Sequence, residues 1–182
     1  QTATWDWNWK WRVKYWTRTN LSIGEVRRRA MRYFGHEAIT DMALVMRQPD
    51  RLLFSEPRGD LIVGVVAGRP NTVSVITNHW PAEAQEFLQQ RAEPIGGIIH
   101  YEAESDQPLP GVLQQAREFF GQGPEGLGLA LSAEEPQSLE FSGGGGQVRV
   151  SVHTDGRPRV EVTAREWHYQ AEQFLRRVTS ER

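Results

Sequence analysis

The feature that most constrains the fold of this chain is that its sequence repeats. A shift of 86 positions aligns 15–35 with 101–121, and one inserted residue makes the shift 87, which aligns 44–88 with 131–175. The two copies share about twenty identities in roughly 65 aligned positions, where chance would give about four. The clearest identical pairs are Tyr15 and Tyr101, Phe34 and Phe120, Phe54 and Phe141, Val63 and Val150, Trp80 and Trp167, and Phe87 and Phe174. We infer an internal duplication with copies at 1–91 and 92–182.

The elements of each copy are predicted with the other copy as a check. Short alternating apolar runs separated by Gly, Pro and Asp turns predict strands, and helical spacing of Val26, Ala30, Tyr33 and Phe34 predicts a helix. Asn78 or His79 can cap a second helix that has Pro81 in its first turn. The predicted strands are about 5–16, 41–47, 51–56, 60–67 and 72–78, then 96–104, 127–133, 138–142, 147–153 and 158–165; the helices are about 22–34, 81–91, 108–120 and 168–178.

Each copy therefore has the order β-α-β-β-β-β-α, and this order predicts an α+β fold. Two tandem copies of it resemble the TATA-box-binding-protein-like fold, a curved antiparallel sheet with helices packed on one face. The helix-grip, START-like proteins share that broad architecture. The resemblance implies that the two copies form one compact pseudo-symmetric unit. It rests on element order and duplication and transfers no functional residue, and fold alone does not give function.

The first predicted strand carries an unusual density of tryptophan. Trp5, Trp7, Trp9 and Trp11 alternate with polar residues, the two-residue period of a half-buried strand. Such a stripe can be plain core, a base-stacking platform, a sugar-binding ledge or a membrane-interface belt. Trp5, Trp7 and Trp9 have no counterpart in the second copy, so we expect them to cover an apolar surface of this chain or of a partner. Trp16 falls on the opposite, polar face of the strand.

The two copies differ on the sheet face that points away from the helices. The shared alternating valines must face the helices, so the residues between them face outward. In the first copy these outward residues are mostly apolar and include Val45, Leu53, Ile62, Val66 and Ile76; in the second they are polar and include His100, Glu102, Glu140, Arg149, His153, Glu161 and Thr163. A contiguous apolar sheet face needs a cover. Other parts of the chain, a second copy of the protein, a partner protein or a hydrophobic ligand could each supply it.

Few residues suggest a catalytic or binding site. The closest group is a weak polar cluster of His100, Glu102, His153 and Glu161, which is a candidate for catalysis or metal binding and otherwise a solvated, salt-bridged surface. The run 143–146 of four glycines lacks the Lys-Ser/Thr of a phosphate loop and enters a strand, so it predicts a hairpin turn. A basic helical face of Arg27, Arg28, Arg29 and Arg32 is either solvated or meets an anionic partner. The sequence thus predicts no catalytic residue, cofactor or metal ligand set.

Charge and composition limit the classes of partner that this chain is expected to bind. The 182-residue chain has no cysteine and a net charge of −2, but 1–91 carry 13 basic against 9 acidic residues (+4) and 92–182 carry 8 against 14 (−6). Glutamates on the second open face would repel phosphates, which argues against nucleic acid. No apolar run reaches the roughly 20 residues of a membrane span, and 1–18 are too charged for a signal peptide core, so a cytoplasmic protein is expected.

Three functional hypotheses follow. The first is a non-enzymatic module for self-assembly or protein interaction, acting through the apolar open face with Trp5, Trp7, Trp9, Trp16, Leu53, Ile62, Val66 and Ile76 as interface or ligand candidates. The second is a helix-grip-like binder, or enzyme, for a hydrophobic small molecule. The third is nucleic-acid binding by the sheet.

Overall fold

The computed structural model describes residues 13–37 and 42–179. Trp5, Trp7 and Trp9 lie outside the described residues. Only the last part of the predicted strand that contains them is described. The strand prediction is therefore tested only from Val13 onward.

The described chain forms ten strands and four helices. The strands are β1 (Val13–Thr19), β2 (Ala43–Gln48), β3 (Arg51–Glu56), β4 (Gly59–Val66), β5 (Asn71–Thr77), β6 (Ile98–Glu104), β7 (Ala130–Glu135), β8 (Ser138–Gly143), β9 (Gly146–His153) and β10 (Arg159–Arg165). The helices are α1 (Ile23–Arg32), α2 (Pro81–Gln90), α3 (Leu109–Phe120) and α4 (His168–Thr179). The α+β fold class is confirmed, and most predicted boundaries lie within two or three residues of the observed ones.

All ten strands join one antiparallel sheet in the order β2-β3-β4-β5-β1-β6-β10-β9-β8-β7. Counted inward from its own edge of the sheet, each half has its strands in the same order. The two halves meet at the centre, where β1 pairs with β6. Tyr15 lies directly opposite Tyr101 in this central pair. The halves thus have equal element order and form one sheet, while the duplication itself and the family resemblance remain predictions.

Local sequence explains where the helices begin. The side chain of Ser22 accepts a hydrogen bond from the Glu25 N–H at 3.1 Å, which caps α1. The predicted cap of α2 by Asn78 or His79 is wrong, because Trp80 is the capping residue and makes no side-chain cap bond. The hydroxyl of Thr77 accepts instead from the N–H groups of His79 and Trp80, at 3.3 and 3.2 Å, and so holds the turn that precedes the helix.

All four helices pack on one face of the sheet. Side chains from that face alternate along the eight inner strands and are buried, among them the eight valines that the two halves share, whereas the edge strands β2 and β7 have no buried residue. Tyr15 and Tyr101 meet edge to face at the centre, with ring centroids 5.6 Å apart. Phe34 and Phe54, and their counterparts Phe120 and Phe141, fill the two sides. The core is therefore continuous across both halves.

The predicted glycine hairpin between β8 and β9 is confirmed. Gly144 and Gly145 have φ angles of 59° and 81°, a conformation that side chains rarely tolerate. The indole of Trp167 donates a hydrogen bond to the Gly143 carbonyl at 2.9 Å and packs against Gly144, where a Cβ would lie 2.6 Å from the ring. The glycines thus let the hairpin close against the start of α4.

Among the residues described, no helix has both the length and the apolar character that a membrane crossing requires.

Candidate functional site

The open face of the sheet, opposite the helices, carries an apolar row in the first half. Strand register places Met46, Leu53, Ile62 and Ile76 side by side on β2, β3, β4 and β5, each directly opposite the next. Four adjacent strands span about 14 Å at their normal spacing. The row ends at Lys14 of β1, which lies opposite Ile76. We call these four residues the apolar row.

The corresponding row of the second half has the opposite character. Register places Ala133, Glu140, Arg149 and Thr163 side by side on β7, β8, β9 and β10. Arg149 forms an ion pair with Glu135 at 3.6 Å and donates to the Ser138 hydroxyl at 3.3 Å. Since both halves form the same strands, the fold does not require the apolar character of the first row.

Val66 and Val45, which the sequence also predicted on the open face of the first half, lie at the margin of the apolar row. Val66 ends β4 and is 65% exposed. Val45 is 56% exposed and falls at a bulge, because the register between β2 and β3 shifts between Leu44 and Met46. The sequence predicted Val45 on the open face; it is the extra residue of the bulge, and Met46 is the residue directly opposite Leu53. Sequence reasoning missed Met46 because a bulge reverses the alternation on which facing is predicted.

An aromatic stack marks the seam between the two halves of the open face. Trp16 of β1 and His100 of β6 lie directly opposite each other, with ring centroids 3.7 Å apart and planes 5° from parallel. On its other side Trp16 faces Ser74, and Ser74 faces Gly64. Two small residues beside a large indole leave the sheet surface lower there than along the apolar row. Trp16 was correctly predicted to lie on this face.

The predicted polar cluster assembles around Glu161. Its carboxylate lies between two imidazoles, 3.2 Å from His153 Nε2 and 3.6 Å from His100 Nδ1. Glu102 lies opposite Glu161 in register but is bound by Arg159 at 3.0 Å. The structure thus brings His100, His153 and Glu161 together, with Glu102 as a neighbour.

The electrostatics of the cluster favour a charged Glu161. The neighbouring His100 imidazole lowers the pKa of the Glu161 carboxyl, and the His153 imidazole lowers it further, against the opposing effect of partial burial. The carboxylate is therefore a fixed negative charge between the two imidazoles.

The geometry of the cluster does not form a nucleophile relay. Thr163 Oγ1 lies 2.9 Å from His100 Nδ1, the same ring nitrogen that faces Glu161. A relay needs the nucleophile and the orienting carboxylate on different ring nitrogens. Within 13–37 and 42–179, no three His, Asp or Glu side chains are grouped so that they could hold a metal ion.

A second polar group lies under α4 on the helix side and was not predicted. Arg176 donates to the carboxylate of Glu172, which is 8% exposed, and both lie near Tyr15. Burial is the main cause that raises the pKa of the Tyr15 and Tyr101 hydroxyls, so both stay neutral. Helical spacing of Glu172 and Arg176 was the available sequence signal, but only the structure shows that Glu172 is buried beside the central tyrosines.

Comparison with known proteins assigns no family. No family model matches this chain, and no curated protein does. Among solved structures, DynU16, a protein in the dynemicin biosynthetic locus, matches with a TM-score of 0.34 and 13% identity, over 93% of this chain and 94% of DynU16. The di-domain ARO/CYC protein BexL from the BE-7585A biosynthetic pathway matches with a TM-score of 0.23 and 10% identity, over 93% of each chain.

Proposed function

We propose that this chain is a binding protein and that the apolar row of the open sheet face receives its hydrophobic partner. The observation that supports this most is that Met46, Leu53, Ile62 and Ile76 stand in one cross-strand row while the equivalent row of the other half is polar. Apolar side chains that the fold does not require are most simply explained by a partner. The helices do not provide one, because they pack on the other face.

A protein surface, including a second copy of this chain, is the first candidate partner. The row reaches the edge strand β2, where Val45 is exposed, and the exposed Val66 at the end of β4 extends the apolar area beyond the row itself. An elongated apolar strip at an edge suits a second protein surface, since protein interfaces are broad and flat compared with ligand pockets. Lys14 and Arg51 at the border of the strip give the interface a charged rim.

A hydrophobic small molecule is the second candidate partner, and the aromatic seam favours it. The lowered surface at Gly64 and Ser74 lies between Trp16 and the row, so a planar apolar molecule could rest against both the indole and the isoleucines. His100 and Thr163 follow Trp16 in the same cross-strand row, on the side away from Ser74, and would offer polar contacts to a molecule that extends past the indole.

Native mass spectrometry separates these candidates. Ile62→Asp and Ile76→Asp each place a charge in the row, and Arg149→Asp is the matched control at the position that corresponds to Ile62. We expect the wild-type protein to be an assembly or to carry a reproducible adduct, both isoleucine variants to lose it, and the control to keep it. A wild-type monomer without added mass, or isoleucine variants of unchanged mass, would contradict the proposal.

Trp5, Trp7 and Trp9 are proposed to contribute to the same apolar contacts. The support is their alternation and the lack of a counterpart in the second half. A variant without residues 1–9 is expected to lose stability, or to lose the assembly or adduct of the full chain. Retention of both would refute this contribution.

A further inference from the structure

The helix side of the first half carries a groove lined mainly by arginine. Its volume is about 590 Å³, and its walls are Glu25, Arg28, Arg29 and Arg32 of α1 together with Gln90 and Arg91 at the end of α2. Four arginines against one glutamate give the lining a net charge of +3. This volume is in the range of small-molecule sites.

The arginines of the groove are held in different ways. Arg29 is fixed by three acceptors: Glu25 Oε1 at 2.7 Å, Glu93 Oε2 at 2.8 Å and the Arg91 carbonyl at 3.0 Å. Arg91 lies over the Tyr33 ring, 5.9 Å from its centroid. These two residues therefore have a clear part in joining α1 to α2.

Arg28 has a different environment. Its guanidinium contacts Glu25, yet its side chain is 71% exposed. A guanidinium has five N–H donors, and one carboxylate uses at most two of them. Arg32 stands one turn further along α1 and is also exposed. Arg28 and Arg32 therefore present donors to the groove in addition to the contacts that they make within the protein.

The second half shows that the fold does not need these charges. At the shift of 86, Arg28, Arg29 and Arg32 correspond to Gln114, Gln115 and Glu118 of α3. Gln114 donates to Glu118 at 3.0 Å, an uncharged donor where the first half has a cation. The aromatic contact is nevertheless kept, since Arg177 lies 4.9 Å from the Phe119 ring as Arg91 lies over Tyr33. The contact between an arginine and an aromatic ring is thus present in both halves, whereas the positive charge of α1 is absent from α3.

We propose that this groove is a binding site for a small phosphate-class anion with at least two negative charges, such as a diphosphate group. Arg28 and Arg32 contact the anion directly, and Arg29 and Arg91 shape the groove and add positive potential. Planar guanidinium groups match the oxygens of phosphate in paired hydrogen bonds. This site lies on the opposite side of the sheet from the apolar row, so either proposal can fail without the other.

The test is isothermal titration of the full chain with inorganic pyrophosphate at low and at physiological ionic strength. The groove variant combines Arg28→Gln and Arg32→Gln. The matched control combines Arg47→Gln and Arg165→Gln, which remove the same charge from exposed strand positions outside the groove. We expect wild type and control to bind equally and the groove variant to bind at least about tenfold more weakly. Affinity should fall as salt rises.

Three results would overturn the proposal: wild-type protein that does not bind pyrophosphate, a groove variant that binds it as tightly as wild type, or, last, a control variant that loses as much affinity as the groove variant. This last result would mean that net charge alone attracts the anion. Should the double variant not fold, Arg28→Gln and Arg32→Gln are measured singly, and unchanged affinity in both would be equally decisive. Adenosine diphosphate in a parallel titration distinguishes sources: equal affinity assigns recognition to the diphosphate, and tighter binding assigns part of it to the attached nucleoside.

Discussion

The two halves of the sheet share one architecture and differ in what they show on their open faces. In the first half the register aligns Leu53, Ile62 and Ile76; in the second it aligns Glu140, Arg149 and Thr163. The core face has valine in both halves at the same places, for example Val63 and Val150. Positions that must pack are therefore constrained alike, while positions on the open face are free to diverge. Divergence of that kind points to function more clearly than either half could alone.

The first prediction tests whether the halves are equivalent in the core. Phe54 and Phe141 are 0% and 1% exposed and occupy corresponding strands. Phe54→Ala and Phe141→Ala should each lower the free energy of unfolding by about 3–5 kcal/mol, through lost burial and the cavity that remains. Urea unfolding followed by circular dichroism measures this. Val66→Ala, at an exposed site, is the control and should change stability by about 0.5 kcal/mol or less. A large loss in one half only would break the equivalence.

The core and sheet could be predicted from sequence because the two similar halves of the sequence supplied two readings of each element. Two patterns predict the burial of four valines: they alternate with a period of two residues, and they recur at the shift of 87 positions. These residues are Val63, Val65, Val73 and Val75, and all four are buried. The β2 edge could not be predicted so well. Only the backbone shows the register shift between Leu44 and Met46, which decides which side chain joins the apolar row.

The polar cluster shows the other limit of sequence reasoning. Alternation placed His100, His153 and Glu161 on one face, and the structure confirms that placement. Sequence could not show that Glu161 lies between the two imidazoles, because that depends on how β6, β9 and β10 are ordered in the sheet. Nor could it show that Thr163 and Glu161 face the same ring nitrogen of His100, the detail that excludes a relay.

The second prediction uses Glu161, a charged residue of the second half whose counterpart in the first half is the uncharged Ser74. The neighbouring His100 and His153 imidazoles lower the pKa of Glu161 in the folded protein below the unfolded value of about 4.3. Its contribution to stability is therefore complete above that unfolded value and is lost as pH falls through the folded pKa. One proton gives a slope of at most about 1.4 kcal/mol per pH unit.

Glu161→Gln should flatten the dependence of stability on pH in this acid range, measured by urea unfolding at a series of pH values. Glu140→Gln on β8, which removes a carboxylate from the same face, is the matched control against which the slope of Glu161→Gln is compared. If Glu161→Gln retains the full slope, the carboxylate is not stabilised by its imidazole neighbours in the folded state.

The third prediction exchanges the two open faces. Ile62→Arg with Ile76→Thr gives the first half the residues of the second, and Arg149→Ile with Thr163→Ile does the reverse. Each double variant should change stability by about 1 kcal/mol or less, because the other half already accommodates these residues and exposed ion pairs contribute little. The first variant should lose the partner of the apolar row, and the second should gain apolar surface that raises self-association, both measured by analytical ultracentrifugation. Equal behaviour of both variants would mean that the face difference has no part in binding.

The smallest expected effect lies at the seam, where Trp16 and His100 join the halves. Directly opposed side chains on neighbouring strands typically couple by about 0.2–1 kcal/mol, and the stacked geometry at 3.7 Å places this pair toward the upper end. A double-mutant cycle with Trp16→Leu and His100→Leu, read by urea unfolding at neutral pH, isolates the coupling from the loss of each side chain alone. The corresponding cycle on Lys14 and Glu102, which are also opposed across β1 and β6, is the control for a charged pair. A coupling near zero for the stack would indicate that Trp16 is placed for a partner on the open face and adds nothing to the join between the halves.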